Sequence, residues 1–365
     1  MLLYYLWPAA EKMLGYLPFG KTIYGTVGFL RHRTSRGASD NVSGFPLARK
    51  ARELVPPGGV VMDVGTGWFH LVAFLLWLVG DYKVYLFDVA DKGKLTYIRN
   101  YLQHLHDNID LLVQELDIDR DVSLLKLEEL LRMRTREEIY EACNFELCIT
   151  ENTDTPFLPE NSVDLMVSTC VLNHIPAEVL LPELVAMHQI LKPGGRMYHL
   201  LGHQDHWTYH DKSANQFNFY RYSDRWYSKL FDTKFEFQNR LVIHEWLDLF
   251  KQCGFDVEEY DMDITDESRQ QIAELPHIDA RFAKFPREDL ASAYTYVLVR
   301  GKDQTKESSR SQGRVVESIM MSTPQHSGSA DLVDAAASSE AVTAFRGATT
   351  PPTKAMETTP RQQGG

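Results

Sequence analysis

The sequence predicts an α/β fold, a doubly wound and mostly parallel sheet with helices on both faces. Three observations carry this. Short apolar runs alternate with helical stretches from Val60 to Arg300. The first run, Val60-Val61-Met62-Asp63-Val64, ends in the turn Gly65-Thr66-Gly67 ahead of a helical stretch. The second run closes on an acid, Asp88. A strand that passes through a tight glycine turn into a helix is the opening unit of such a sheet.

Strands are expected at residues 60–64, 84–87, 147–150, 163–168, 197–201 and 294–299, where β-branched or apolar residues cluster. Helices are expected at 68–79, 92–104, 177–191 and 241–253. Gly194-Gly195 and Gly254 fall just past helix ends, where a left-handed residue closes the last turn. Residues 1–59 read as an apolar N-terminal cover segment followed by a basic stretch, and 60–300 as the main domain. Two segments exceed ordinary loop length. One, 107–144, carries Leu124, Leu127, Leu130 and Leu131 at helical spacing and reads as a helical insertion. The other, 202–240, lies in a region with 12 aromatic residues between Tyr198 and Phe237, too many for a plain linker, so it reads as an aromatic cap. Residues 301–365 hold a single aromatic, Phe345, with seven basic and seven acidic side chains, and are expected to be a disordered tail.

Composition narrows the function classes. The chain has 365 residues, 44% of them hydrophobic and 24% charged, which suits a globular core. A net charge of −12 argues against nucleic-acid binding, which needs clustered cations. The four cysteines, Cys143, Cys148, Cys170 and Cys253, form no CxxC pair, so a reducing, cytoplasmic setting is expected. No run is long enough to span a membrane, and the start lacks the basic leader and cleavage site of a signal peptide. The apolar start followed by arginines also suits peripheral membrane contact.

The chemistry concentrates at the first glycine turn. Gly65 and Gly67 let a ligand lie against bare backbone, and the helix that follows offers unpaired N–H groups. Asp88, at the end of the second run, is placed to accept ribose hydroxyls. A dinucleotide fingerprint would need glycine at position 70, where His70 stands. Asp63, just ahead of the glycines, suits a cationic ligand better than a pyrophosphate.

These residues, with four further motifs in order, resemble class I S-adenosylmethionine-dependent methyltransferases, in particular the small-molecule branch called type 11. Asp63-Val64-Gly65-Thr66-Gly67 is similar to the family's first motif and Asp88 to its ribose-binding acid. Residues 156–168, from Pro156 to Ser168, resemble the approach to strand four, and Val171-Leu172-Asn173-His174-Ile175 the segment after it. Leu191-Lys192-Pro193-Gly194-Gly195-Arg196 resembles the turn before strand five, and Cys253-Gly254-Phe255 the turn into strand six. The resemblance covers about residues 58–300. It implies a seven-stranded Rossmann-like sheet and S-adenosyl-L-methionine as cofactor, held by Asp63, Gly65, Thr66, Gly67 and Asp88. It further implies an adenine contact within 151–154, for which Asn152 and Thr153 are the candidates. Phe69 departs from the pattern, standing where the family carries a third glycine.

For the acceptor side, His174 follows strand four, where methyl donor and acceptor should meet. Asp205-His206 is the best local acid–base pair, since a neighbouring carboxylate raises the basicity of an imidazole. His174, His206 and Asp205 are therefore the catalytic candidates. Trp207, Arg221 and Arg225 are the substrate-binding candidates, an aromatic face and two guanidiniums that would hold a carboxylate or phosphate. The run His199, His203, His206, His210 invites a metal reading, but His199 ends a strand, Gly202 breaks the stretch and no Cys joins it, so no metal is expected. The expected reaction is methylation of a small polar acceptor, with O-methylation of a sugar or a glycan- or lipid-linked intermediate favoured. N-methylation, phenol methylation of a natural product, or a noncatalytic S-adenosylmethionine binder are the alternatives.

Overall fold

The computed structural model describes residues 2–34, 41–151, 153 and 156–302, with backbone alone at 28–34 and 41–42. The strands are β1 (Val60–Val64), β2 (Lys83–Asp88), β3 (Phe145–Ile149), β4 (Val163–Thr169), β5 (Leu191–Gly202), β6 (Phe255–Asp263) and β7 (Tyr294–Gly301). They form one seven-stranded sheet in the order β3-β2-β1-β4-β5-β7-β6. All neighbours pair in parallel except β7, which runs antiparallel to both β5 and β6. The doubly wound, seven-stranded α/β expectation holds, and β6, which no apolar run marks, begins at Phe255, where the resemblance put the turn into strand six. Its outer edge is mostly exposed and acidic, which is why no apolar run marks it.

Side chains of the central strands alternate between two cores, as period-2 geometry requires. Val61, Val84, Leu86, Leu165 and Val167 face the helices Asn41–Leu54, Leu71–Val79 and Leu95–Asp107. Met62, Val64, Tyr85, Phe87 and Met166 face the helices Ala177–Ile190 and Ile243–Gln252. The Gly194-Gly195 turn is taken up as a bulge near the start of β5, so that Val163 lies opposite Leu191 but Leu165 opposite Arg196.

The first long insertion is helical, as expected, with helices Ile109–Leu116, Arg120–Arg132 and Arg136–Ala142. The second has two short 3-10 turns, His206–Tyr209 and Asn218–Arg221, and one short helix, Asp224–Leu230. Its aromatics make a third core with Tyr4, Phe282 and Leu290, so the N-terminal helix Leu2–Tyr16 is built into this cap. The tail expected to be disordered lies outside the described residues from 303 onward.

Candidate functional site

The sheet order reverses between β1 and β4, and ligands of open α/β sheets lie outside the carboxyl ends of the strands at such a switch point. Both halves of the candidate site are there.

The first half is the glycine turn after β1. Gly65 and Gly67 have φ of +70° and +64°, the left-handed region that costs other residues strain. A Cβ on Gly65 would meet Val171 Cγ2 at 2.5 Å, so close packing of the β1 and β4 loops also demands glycine. Asp88 Oδ2 accepts from Gly67 N at 3.0 Å, and Asp88 Oδ1 from Ala90 N at 3.3 Å and Lys92 Nζ at 3.4 Å. A carboxylate has about four acceptor sites, so with these three filled Asp88 keeps one for a hydroxyl, and a diol would take the place of one of the weaker donors, Ala90 N or Lys92 Nζ.

Asp63 is buried, and its Oδ2 has no hydrogen-bond partner among the described residues. Burial pushes its carboxyl up to about 7, with Asp88 adding to the rise and the Thr66 hydroxyl opposing it. An orphaned buried carboxylate oxygen beside bare glycine backbone is what an ammonium group would complete.

His70 also has a left-handed backbone, φ +53°, at the position where a dinucleotide site keeps glycine. It anchors a relay. Its Nδ1 lies 2.8 Å from Thr66 Oγ1 and its Nε2 2.5 Å from the Tyr140 hydroxyl. Burial lowers its pKa to about 4, so the ring is neutral near pH 7. The Thr66 hydroxyl lowers the Asp63 pKa by donating to that carboxyl, so it accepts from His70 Nδ1–H, and Tyr140 then donates to Nε2. The helical insertion thereby braces the glycine turn through Tyr140. Phe69, the departure from the family pattern, turns into the core and packs on the Tyr97 ring at 5.8 Å. Of the adenine-contact candidates, Thr153 is buried just past β3, and Asn152 lies outside the described residues.

The second half follows β4. Val171, whose side chain packs on Gly65, leads into the 3-10 turn Leu172–His174. His174 and His206 are brought together, with ring centroids 4.6 Å apart. The residue between them is one that sequence reasoning missed. Glu236 Oε1 lies 2.8 Å from His206 Nδ1 and 3.5 Å from His174 Nδ1. Burial alone would raise the Glu236 carboxyl, but the two imidazoles outweigh it and hold it at about 2. Burial lowers the pKa of His206, with Glu236 pulling the other way.

The Phe237 carbonyl, 3.2 Å from His174 Nδ1, can only accept, so His174 carries its proton on Nδ1. Its Nε2 is then a lone pair, buried and without a partner among the described residues. Three groups of this kind, with one atom from each within 4.8 Å of the others, could also hold a metal ion. The Nδ1 proton of His174 weighs against ligation through that nitrogen.

Glu236 belongs to a run that clasps the site. Gln238 Nε2 donates to Gln204 O at 2.6 Å, and Asn239 Nδ2 to Leu172 O and Ile175 O at 2.9 and 3.0 Å. Arg240 donates to Phe219 O and Tyr222 O and pairs with Asp224. The available signal was polar residues spaced through an aromatic stretch, Glu236, Gln238, Asn239 and Arg240.

The remaining candidates sit elsewhere. Asp205 does not pair with His206. Its Oδ2 accepts from the Tyr4 hydroxyl at 2.5 Å and its Oδ1 from Trp207 N at 3.1 Å, an N-terminal cap for the turn His206–Tyr209. Neighbours in sequence at the start of a turn point apart, and the partner came from 30 residues on instead. Trp207 is buried in the aromatic core rather than lining a cleft. Arg221 Nη1 donates to Asn218 Oδ1 at 2.9 Å, and Arg225 is exposed on the helix Asp224–Leu230. The four-histidine run disperses, with His199 on Ser168, His203 on Thr295 and the Leu241 carbonyl, and His210 stacked on Trp7.

No family model matches the chain, and no curated protein does. Solved structures similar to it include the CurJ carbon methyltransferase, at 12% identity and TM-score 0.37 over 70% of this chain and 52% of that one. A Methanosarcina mazei S-adenosylmethionine-dependent methyltransferase matches at 13% identity and TM-score 0.39, over 70% and 98%. The Haemonchus contortus phosphoethanolamine N-methyltransferase 2, in complex with S-adenosyl-L-methionine, matches at 13% and 0.40, over 70% and 52%. The chain thus spans about half the length of the first and third of these. Likenesses this distant name no family, and the fold rests on the sheet order itself.

Proposed function

We propose that the chain is an S-adenosylmethionine-dependent methyltransferase acting on a small polar acceptor, and that it methylates a hydroxyl oxygen. The observation that carries this reading is the orphaned, buried Asp63 Oδ2 beside the Gly65–Gly67 turn, with Asp88 at the neighbouring strand end. That set fits a ligand with an ammonium group, a sugar diol and an edge that lies on bare backbone. Asp63 would hold the amino group, Gly65 and Gly67 the backbone edge, and Asp88 the ribose hydroxyls. The cofactor supplies an electrophilic methyl group on a sulfonium whose leaving group needs no activation.

The protein's own part is to orient, exclude water and move a proton. An alcohol is a poor nucleophile until its proton is drawn off. His174 Nε2 is the lone pair available for this, with Nδ1–H anchored on Phe237 O and Glu236. Glu236 carries the charge that stabilises the imidazolium once it forms. His206, hydrogen-bonded to the same carboxylate through Nδ1, is the second base once its Nε2 gives up Asn173 Nδ2, 3.4 Å away. Burial of all three excludes competing water, and it equally requires the cap to part before an acceptor reaches His174 Nε2. A sugar, or a glycan- or lipid-linked intermediate, is the acceptor class this base serves.

The test is calorimetric titration of S-adenosylmethionine and of NAD into wild type and Asp88→Ala. Binding of the first alone, lost in Asp88→Ala, is the expected result. Preferential NAD binding, or no binding of either, would overturn the reading.

A further inference from the structure

The helix Leu2–Tyr16 has its polarity reversed for a surface helix. Its buried positions, Tyr4, Pro8 and Glu11, fall at i, i+4 and i+7 on one face. The buried face therefore carries an acid. Glu11 accepts from Trp7 Nε1 at 2.9 Å and from Thr233 Oγ1 at 3.2 Å. The opposite face is apolar and open: Leu2 is 73% exposed, Met13 72% and Tyr16 84%, and Phe19 in the next turn is 71% exposed. Eleven of the eighteen large apolar side chains exposed among the described residues lie between Leu2 and Val27. A surface helix in water ordinarily shows the reverse, and a contiguous apolar face of this kind marks an interaction site.

The patch extends onto the cap. Lys12 Nζ donates to Ser228 O at 3.1 Å and to Lys229 O, which sets the helix Asp224–Leu230 alongside. That helix adds Trp226 and Leu230, both exposed. Cations rim the patch. Lys229 and Lys234 are exposed, and Lys234 lies over the Tyr16 ring. In a chain of net charge −12, residues 1–39 carry five Lys or Arg and one acidic residue. An apolar face edged by cations, in a protein otherwise acidic, complements an anionic lipid surface. No helix among the described residues is long and apolar enough to cross a membrane, so this face would lie in the interface rather than span it.

We propose that the outer face of Leu2–Tyr16, with the exposed edge of Asp224–Leu230, docks the protein peripherally on anionic phospholipid. The inner face of the same helix reaches the histidine half of the site, because Tyr4 is bonded to Asp205, the residue before His206. Docking would thus present that site to molecules held at a bilayer. The proposal does not depend on the methyl-transfer reading, since lipid binding is measured without turnover.

The experiment is co-sedimentation of the full chain with vesicles of phosphatidylcholine alone and of phosphatidylcholine with about 30% phosphatidylserine. Wild type, Leu3→Glu/Phe19→Glu, Lys229→Ala/Lys234→Ala and a control, Leu125→Glu, are compared. All altered side chains are exposed, and circular dichroism with a thermal melt confirms that each variant folds. Wild type and control should pellet with the anionic vesicles. The double glutamate variant should lose binding by on the order of a hundredfold, and the lysine variant by roughly tenfold. No pelleting of wild type would overturn the proposal, as would binding that the two patch variants leave unchanged. Equal binding to phosphatidylcholine alone would overturn the choice of anionic lipid. Self-association seen by analytical ultracentrifugation, abolished by the glutamates in the absence of vesicle binding, would assign the face to a second copy of the chain instead.

Discussion

The two halves of the candidate site are built in opposite ways. The glycine-turn half draws Asp63, Gly65, Thr66, Gly67 and His70 from one eight-residue stretch, and only Asp88 and Tyr140 come from further along. The histidine half draws His174, His206 and Glu236 from three separated segments, clasped by residues 236–240. A site confined to one strand–turn–helix unit is set by local backbone geometry. A site assembled from a distant clasp depends on the packing of an entire cap. The two should therefore fail differently, the first in cofactor affinity and the second in turnover.

The largest expected effect separates them. Glu236→Gln should lower kcat by about 10²–10³-fold while leaving S-adenosylmethionine affinity within about twofold of wild type. Because Glu236 raises the His206 pKa against burial, any part of the acid limb of the pH–rate profile that His206 sets should also move to lower pH in this variant, which simple loosening of the cap would not cause. A matching loss of cofactor affinity would show that the halves are a single unit.

Gly65→Ala probes the other half. The new Cβ meets Val171 at 2.5 Å on a backbone of φ +70°, so calorimetry should record a loss of cofactor affinity on the order of 100-fold. Val171→Ala in the same chain should restore part of it, since it removes the atoms in the way.

A third prediction sharpens the role of Asp63. Burial holds its carboxyl at about 7, and a cationic ligand binds the ionised form. Affinity for S-adenosylmethionine should therefore strengthen as pH rises towards 7, by up to about tenfold per unit below it, and level off above. Asp63→Asn should bind weakly at every pH. A wild-type affinity that is flat from pH 5.5 to 7 would remove Asp63 from the ligand's amino group.

The smallest effect falls on Asp205, now seen as a structural residue. Burial raises its carboxyl to about 7, against the Tyr4 and Trp207 hydrogen bonds. Between the ordinary carboxylate value and 7 the folded state holds a proton that the unfolded chain has released. The stability this contributes is complete below about pH 4 and is lost as pH rises through 7. Asp205→Asn lacks that loss, so urea melts should show its stability gaining on wild type by roughly 2 kcal/mol between pH 5 and 8. Its kcat should change far less than that of Glu236→Gln.

Much of this was legible in the chain. The alternating pattern placed every strand but β6, whose exposed acidic side chains carry no apolar signal. The Asp63-to-Gly67 turn and Asp88 stood out because their geometry is dictated by adjacent residues. His174 and His206 were both legible as candidates, yet their common partner was not. Asp205 was the obvious neighbour of His206 in sequence, and the cap turned it towards Tyr4 instead. Trp207 gave an aromatic signal that could not tell a core from a cleft, and packing placed it in the core.

The sheet and the glycine turn follow from the chain alone, because strand periodicity, left-handed glycines and a strand-end acid act over a few residues. Which carboxylate orients His174 and His206, and which face of the N-terminal helix meets water, emerges only when the cap packs. Hydrogen bonds and burial between residues as far apart as Tyr4 and Asp205 depend on how the cap packs, and no local pattern encodes that distance.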